Sequence, residues 1–241
     1  MVDTSQGESR PAASAQRPVR PWRGPASGIA FIVLFVAAVF MDNLPAGNAS
    51  DRAWTAYFAS AAHRVSMIVS GFLLVAAALA LLSFFVFTWT RVTRAARPGG
   101  TSLLPVAAAG VSAACIAAGG ALGAVVPGSM VFGSQPEPAP GILRVLATLG
   151  IPLVLVGGMV PLALAVASLS LQAKAAGIFG RGMAGVGLAV AVITLFSFEF
   201  FTMLAMLAWV LAVSVVVIRR PELAPASHTR PIGSSSAVSP I

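Results

Sequence analysis

Charge is what this chain has least of. Only 9% of its 241 residues are charged, against about 25% in an ordinary soluble domain. So few charges cannot coat a water-soluble fold of this size. The gaps between them are long: residues 65–90, 145–173 and 200–218 hold no ionisable side chain. Each gap is close to or above the roughly 18–20 apolar residues that a helix needs to cross about 30 Å of hydrocarbon. The composition therefore places the chain in a bilayer.

Cysteine is nearly absent as well. Cys115 stands alone, which excludes an internal disulfide and a cysteine-based metal cluster. It lies in an apolar run, where a free thiol acts as a small hydrophobe. No histidine falls within an apolar core, so axial ligation of a haem inside the spans is excluded. No Ser/His or Ser/Lys pair shares a membrane depth, and no cofactor motif is present. Acidic residues number 7 against 15 basic ones, a net charge of +8. The basic residues flank the apolar runs rather than striping one face. That is a topology signal and not a nucleic-acid footprint.

What is present is a series of apolar blocks. Residues 1–23 and 221–241 are rich in Pro, Ser and Ala and are expected to be disordered cytoplasmic tails. Between them, residues 24–220 form the membrane domain. Blocks at 25–44, 65–89, 103–126 and 143–169 each read as one span, with a bend expected near Pro161. Gly47-Asn48-Ala49 offers small residues for signal cleavage after the first block, but the long tail before it does not suit a secretory signal. The stretch 182–218 would be about 55 Å long as one helix. Two crossings with a tight turn at 197–201 fit better, giving six.

The basic residues support that count. With the amino terminus cytoplasmic, inner segments carry 12 Lys and Arg and outer segments carry three, Arg52, Arg64 and Arg144. The fold class is therefore all-α: a polytopic bundle of six transmembrane helices with both termini cytoplasmic. Ser50 and Asp51 read as the start of a further short helix over residues 51–62. Trp54, Tyr57, Phe58 and Ala61 form one apolar stripe on it. It is expected to lie on the outer membrane surface or over the mouth of the bundle. The segment 127–141 is expected to be an irregular, proline-rich outer loop.

Four polar residues are the functional candidates. Glu199 is the acidic residue within the long apolar tail block, and a carboxylate in hydrocarbon is by default a functional suspect. Either it caps the outer turn in contact with water, or it lies in the bundle, where burial raises its pKa and a proton relay becomes conceivable. His63, Arg64 and Asp51, with Asp42, form a sparse outer cluster. A histidine and two aspartates could hold a metal, but their spacing matches no standard ligand motif. Arg64 is expected to meet lipid phosphate or an acidic loop residue. Gly119 and Gly123 share a helix face and permit close helix packing, first within the monomer and second between copies.

The segment Ala49-Ser50-Asp51-Arg52-Ala53-Trp54-Thr55-Ala56-Tyr57-Phe58, the span after it and the closing Trp209-Val210-Leu211-Ala212-Val213-Ser214-Val215-Val216-Val217-Ile218-Arg219-Arg220 resemble an uncharacterised family of multi-pass membrane proteins common in high-GC actinobacteria. The resemblance covers residues 22–220. It implies a bundle of about six helices with a short aromatic outer helix, and brings no catalytic residues. The expected role is a non-enzymatic accessory or sensing bundle of the bacterial plasma membrane. Its expected partners are membrane lipids, a second copy or another membrane protein. Rival readings are a small transporter for an apolar or amphipathic solute and a lipid-acting enzyme at the outer face.

Overall fold

The computed structural model describes residues 23–97, 99–136, 138–196 and 200–219. Apart from Arg23, which opens a helix, the expected tails lie outside them, as do Glu199 and the start of the turn at 197–201. Among the described residues the chain is helical and contains no strand. Apolar sequence without water leaves the backbone few other ways to satisfy its polar groups.

Helix α1 spans Arg23–Met41 and α2 spans Asp51–Ala59. α3 spans Ala61–Ala95 and α4 spans Leu104–Phe132. α5 spans Pro140–Ala175, with a π-helical stretch at Leu153–Gly158. α6 spans Arg181–Phe196 and α7 spans Phe200–Arg219. The block 182–218 is thus two helices. Three helices, α3, α4 and α5, are long and apolar enough to cross a membrane. Their outward side chains are apolar too: Phe72 is 70% and Phe132 78% exposed. A helix apolar on all sides is suited to lipid, not water.

The packing is a ring. α1 lies on α3, α3 on α4, α4 on α5, α5 on α6, α6 on α7, and α7 returns to α1. At the end far from α2 the ring is filled by Phe84, Phe85, Leu169, Trp209 and Val213, all buried. Phe85 and Trp209 stack across it, with ring centres 6.3 Å apart.

Two expectations need correction. The segment 127–141 is not one loop, because α4 runs through Pro127 to Phe132. In hydrocarbon, neighbouring helices tolerate a proline that would end a helix in water. The short helix stops at Ala59 rather than 62, and α3 starts four residues early, at Ala61. Ser60 is the cause. Its backbone is extended, at φ −75° and ψ 119°, so it ends α2. Its Oγ then accepts from the His63 N–H at 3.5 Å and caps α3. Ala61 consequently falls off the α2 stripe and is exposed. Near Pro161, where a bend was expected, the helix carries a π-helical stretch at Leu153–Gly158 and runs on through the proline.

Candidate functional site

The site starts at the carboxyl end of α1. A helix leaves its last four carbonyls without intrahelical donors, and here each finds one. Ser70 Oγ donates to the Ala38 carbonyl at 2.9 Å, and Ser66 Oγ to that of Met41 at 2.8 Å. The Asp42 N–H donates to Val39 at 3.3 Å, and Asn43 Nδ2 to Phe40 at 3.1 Å. Two serines of α3 thus fix where α1 ends, and with it the position of Asp42.

Small residues set the floor. Gly71 of α3 and Gly120 of α4 face each other: a Cβ on Gly71 would stand 2.7 Å from the Gly120 carbonyl oxygen. One residue earlier, Gly119 faces Gly150 of α5, and a Cβ there would stand 2.8 Å from the Gly150 oxygen. The Gly119/Gly123 face therefore packs within the monomer. Gly123 itself has open space where a Cβ would project.

That space belongs to a cavity of about 200 Å³ in the α2 half of the ring. Phe35 and Val39 of α1 and Asp42 just beyond its end line it, with Ser70 of α3, Gly123 of α4, Val154 and Leu155 of α5, and Met203 of α7. Asp42 is its ionisable lining residue among those described. Asp42 is an exposed residue by its overall surface and also lines the cavity. Pro127 has no N–H to offer the Gly123 carbonyl one turn earlier. The π-helical stretch carries Val154 and Leu155, and such distortions are frequent at functional sites.

α2 closes over the side of this half. Trp54, Tyr57 and Phe58 are buried against Met67, Val126, Leu143 and Ala147. The helix packs on α3 and α5 and so sits over the bundle. Ser50 caps it as expected, accepting from the Ala53 N–H at 3.3 Å. Arg144 of α5 pins it, with Nη2 2.7 Å from Asp51 Oδ1 and 3.0 Å from the Ala49 carbonyl.

Among the three described candidates, no ion pair or side-chain hydrogen bond joins Asp51, His63 and Arg64 to one another. Asp51 pairs with Arg144. His63 stacks on Tyr57 with ring centres 4.3 Å apart, and its Nδ1 lies 3.3 Å from the Tyr57 carbonyl. Burial, then the nearby Asp42 charge, raises the Tyr57 pKa. Asp51, His63 and Arg64 are not among the cavity's described lining residues. Glu199 lies outside the described residues. No group of three His, Cys, Asp or Glu able to hold a metal occurs among the described residues. Sequence reasoning missed Gly150, Arg144 as the α2 anchor, and the link between Ser70 and Asp42. One signal was available: Pro127 lies four residues after Gly123, which marks a carbonyl short of a donor.

The Asp51–Arg144 pair gives a first prediction. Its side chains are 69% and 35% exposed, and such pairs contribute about 0.2–1 kcal/mol. Asp51→Asn will lower the thermal midpoint slightly, and Arg144→Ala by more, because Ala49 also loses its donor. A double-mutant cycle by thermal unfolding will give a coupling below about 1 kcal/mol. A larger coupling would mean that the pair is far better shielded from solvent than the structure shows.

No family model, curated protein or solved structure matches this chain.

Proposed function

We propose that this chain is a non-enzymatic binding bundle of a bacterial plasma membrane, serving an accessory or sensing role. It crosses the bilayer six times with both ends cytoplasmic, and α2 lies at the outer face. The distribution of Lys and Arg supports that orientation. The described lengths of α1, α6 and α7 are 19, 16 and 20 residues. At 1.5 Å per residue these are about 24–30 Å, near the hydrocarbon thickness. All three pack into the same ring as the longer helices.

One observation carries the functional reading: the ring is hollow in its outer half and filled in its inner half. A cavity of about 200 Å³ exceeds the roughly 150 Å³ engineered cavity that binds benzene. Below it, Phe84, Phe85 and Trp209 leave no room. A pocket closed on one side suits binding better than passage. The transporter reading draws on the π-helical stretch and its two flanking prolines, Pro152 and Pro161, which resemble the interrupted helices of transporters. The filled inner half weighs against it.

The test uses the full chain in phosphatidylcholine nanodiscs and a diazirine-bearing alkyl alcohol, which carries no charge. Photolabel is expected on the peptides holding Val154, Leu155 and Met67, and Gly123→Leu will remove it. Label confined to outward residues such as Phe72 and Phe132, unchanged by Gly123→Leu, would overturn the reading.

A further inference from the structure

The polar lining of the outer cavity has a consistent character. Asp42 offers a carboxylate. Ser70 has already given its proton to the Ala38 carbonyl, so only its oxygen lone pairs remain. Gly123 also lines the cavity, and Pro127 one turn on has no N–H for its carbonyl. These groups accept hydrogen bonds and need a donor. Among the described residues, no Lys or Arg lies within ion-pair distance of Asp42; the ion pair found is Asp51–Arg144. A carboxylate at an apolar cavity with no cationic partner gains a charge-assisted hydrogen bond from a bound cation.

The rest of the space is hydrocarbon-like. A second, wholly apolar groove of about 140 Å³ lies between α1 and α7. It shares the wall of Phe35, Val39 and Met203 with the main cavity. It also includes Phe40 and Leu204, which are 70% and 46% exposed. The groove therefore reaches the surface that faces lipid in the six-span arrangement. A chain arriving sideways from the outer leaflet meets this groove and then the wall that bounds the cavity.

We propose that the outer cavity binds a single-chain cationic amphiphile, with its ammonium group at Asp42 and its alkyl chain along the Phe35–Val39–Met203 wall. This rests on the binding reading above and names its ligand class. An ammonium brings three donors and one positive charge, which answers both the acceptor lining and the unpaired carboxylate. An anionic or zwitterionic phosphate head would bring acceptors to acceptors. A neutral alcohol would fill the space but leave the charge unanswered.

The experiment measures binding of radiolabelled dodecylamine, dodecanol and dodecanoate to the full chain in phosphatidylcholine nanodiscs, with empty nanodiscs subtracted. The amine is expected to bind most tightly. Asp42→Asn will weaken the amine by about tenfold or more, the scale of a lost charged hydrogen bond, and leave dodecanol unchanged. Asp42→Glu will restore most of the amine affinity. Gly123→Leu, and independently Leu155→Phe, will abolish amine and alcohol binding alike. Thermal midpoints equal to that of the parent protein show that each variant is folded. If all three probes bind equally, Asp42→Asn changes nothing and the filling variants still abolish binding, the ligand class is overturned while the pocket stands. If both folded filling variants bind every probe as the parent does, the pocket reading fails and this inference fails with it.

Discussion

Gly150→Leu will leave no monodisperse protein in mild detergent, whereas Gly123→Leu, one turn from its contact, will purify like the parent. Both place a large side chain on a glycine at the same helix interface. The difference is what the new Cβ meets. At Gly150 it meets the backbone carbonyl of Gly119, and a Cβ on Gly119 would stand 2.8 Å from the Gly150 oxygen in return. Neither backbone can give without moving α4 away from α5. Overpacking in a rigid site costs about 1–3 kcal/mol and occasionally more; a clash with backbone belongs at or above the upper end. Total stability is about 5–15 kcal/mol, so loss of the α4/α5 contact endangers the fold. Gly123 has nothing within 4 Å of its added Cβ, and replacing a helical glycine gains about 0.8–1 kcal/mol of propensity. Size-exclusion profiles of the two variants and of Gly110→Leu, another open position, will decide. A monodisperse Gly150→Leu would show that the two helices are not packed through their glycines.

Trp54→Ala will free the outer helix without unfolding the bundle. Trp54 is fully buried and its ring stacks on Phe58 with centres 6.4 Å apart. Removing a buried aromatic side chain costs about 3–5 kcal/mol. That loss falls on an element of nine residues, too short to stay helical by itself in water. The main core cluster, holding Phe85 and Trp209, does not include Trp54. Local opening is therefore the expected response. Arg52 lies on α2 and is exposed, so trypsin added to the protein in nanodiscs reads the opening. Cleavage there will accelerate roughly a hundredfold, the equivalent of about 3 kcal/mol. The thermal midpoint of the ring, followed through Trp209 fluorescence in a Trp22→Phe, Trp89→Phe background, will move little. An unchanged cleavage rate would mean that the aromatic face does not hold α2 in place.

The helical blocks were legible because charge is excluded from hydrocarbon, so gaps between arginines mark them directly. The Ser50 cap and the apolar face of Trp54, Tyr57 and Phe58 were legible because both follow from local spacing. Pro127 misled, since its helix-breaking force depends on solvent and neighbours that the local sequence does not display. The boundary at Ser60 was not legible, because a single residue both ends α2 and caps α3 and leaves no loop between the two helices. The cavity was not legible at all. It depends on Gly123 of α4, Leu155 of α5 and Asp42 beyond the end of α1 arriving at one place, and that register is set by Gly71 against Gly120 and Gly119 against Gly150. Among the four polar candidates, Asp51 and His63 found local partners. Asp42, noted only as a neighbour of that cluster, lines the cavity.

The whole account depends on α2 and the cavity lying outside the cell in a chain that crosses six times. Single cysteines at Asn48, Ala96, Pro136, Phe198 and His228, each in a Cys115→Ala background, test this with a membrane-impermeant maleimide on intact cells. The account predicts labelling at positions 48, 136 and 198, with positions 96 and 228 reacting only after permeabilisation. Protection at 198 together with labelling at 228 in intact cells would contradict it.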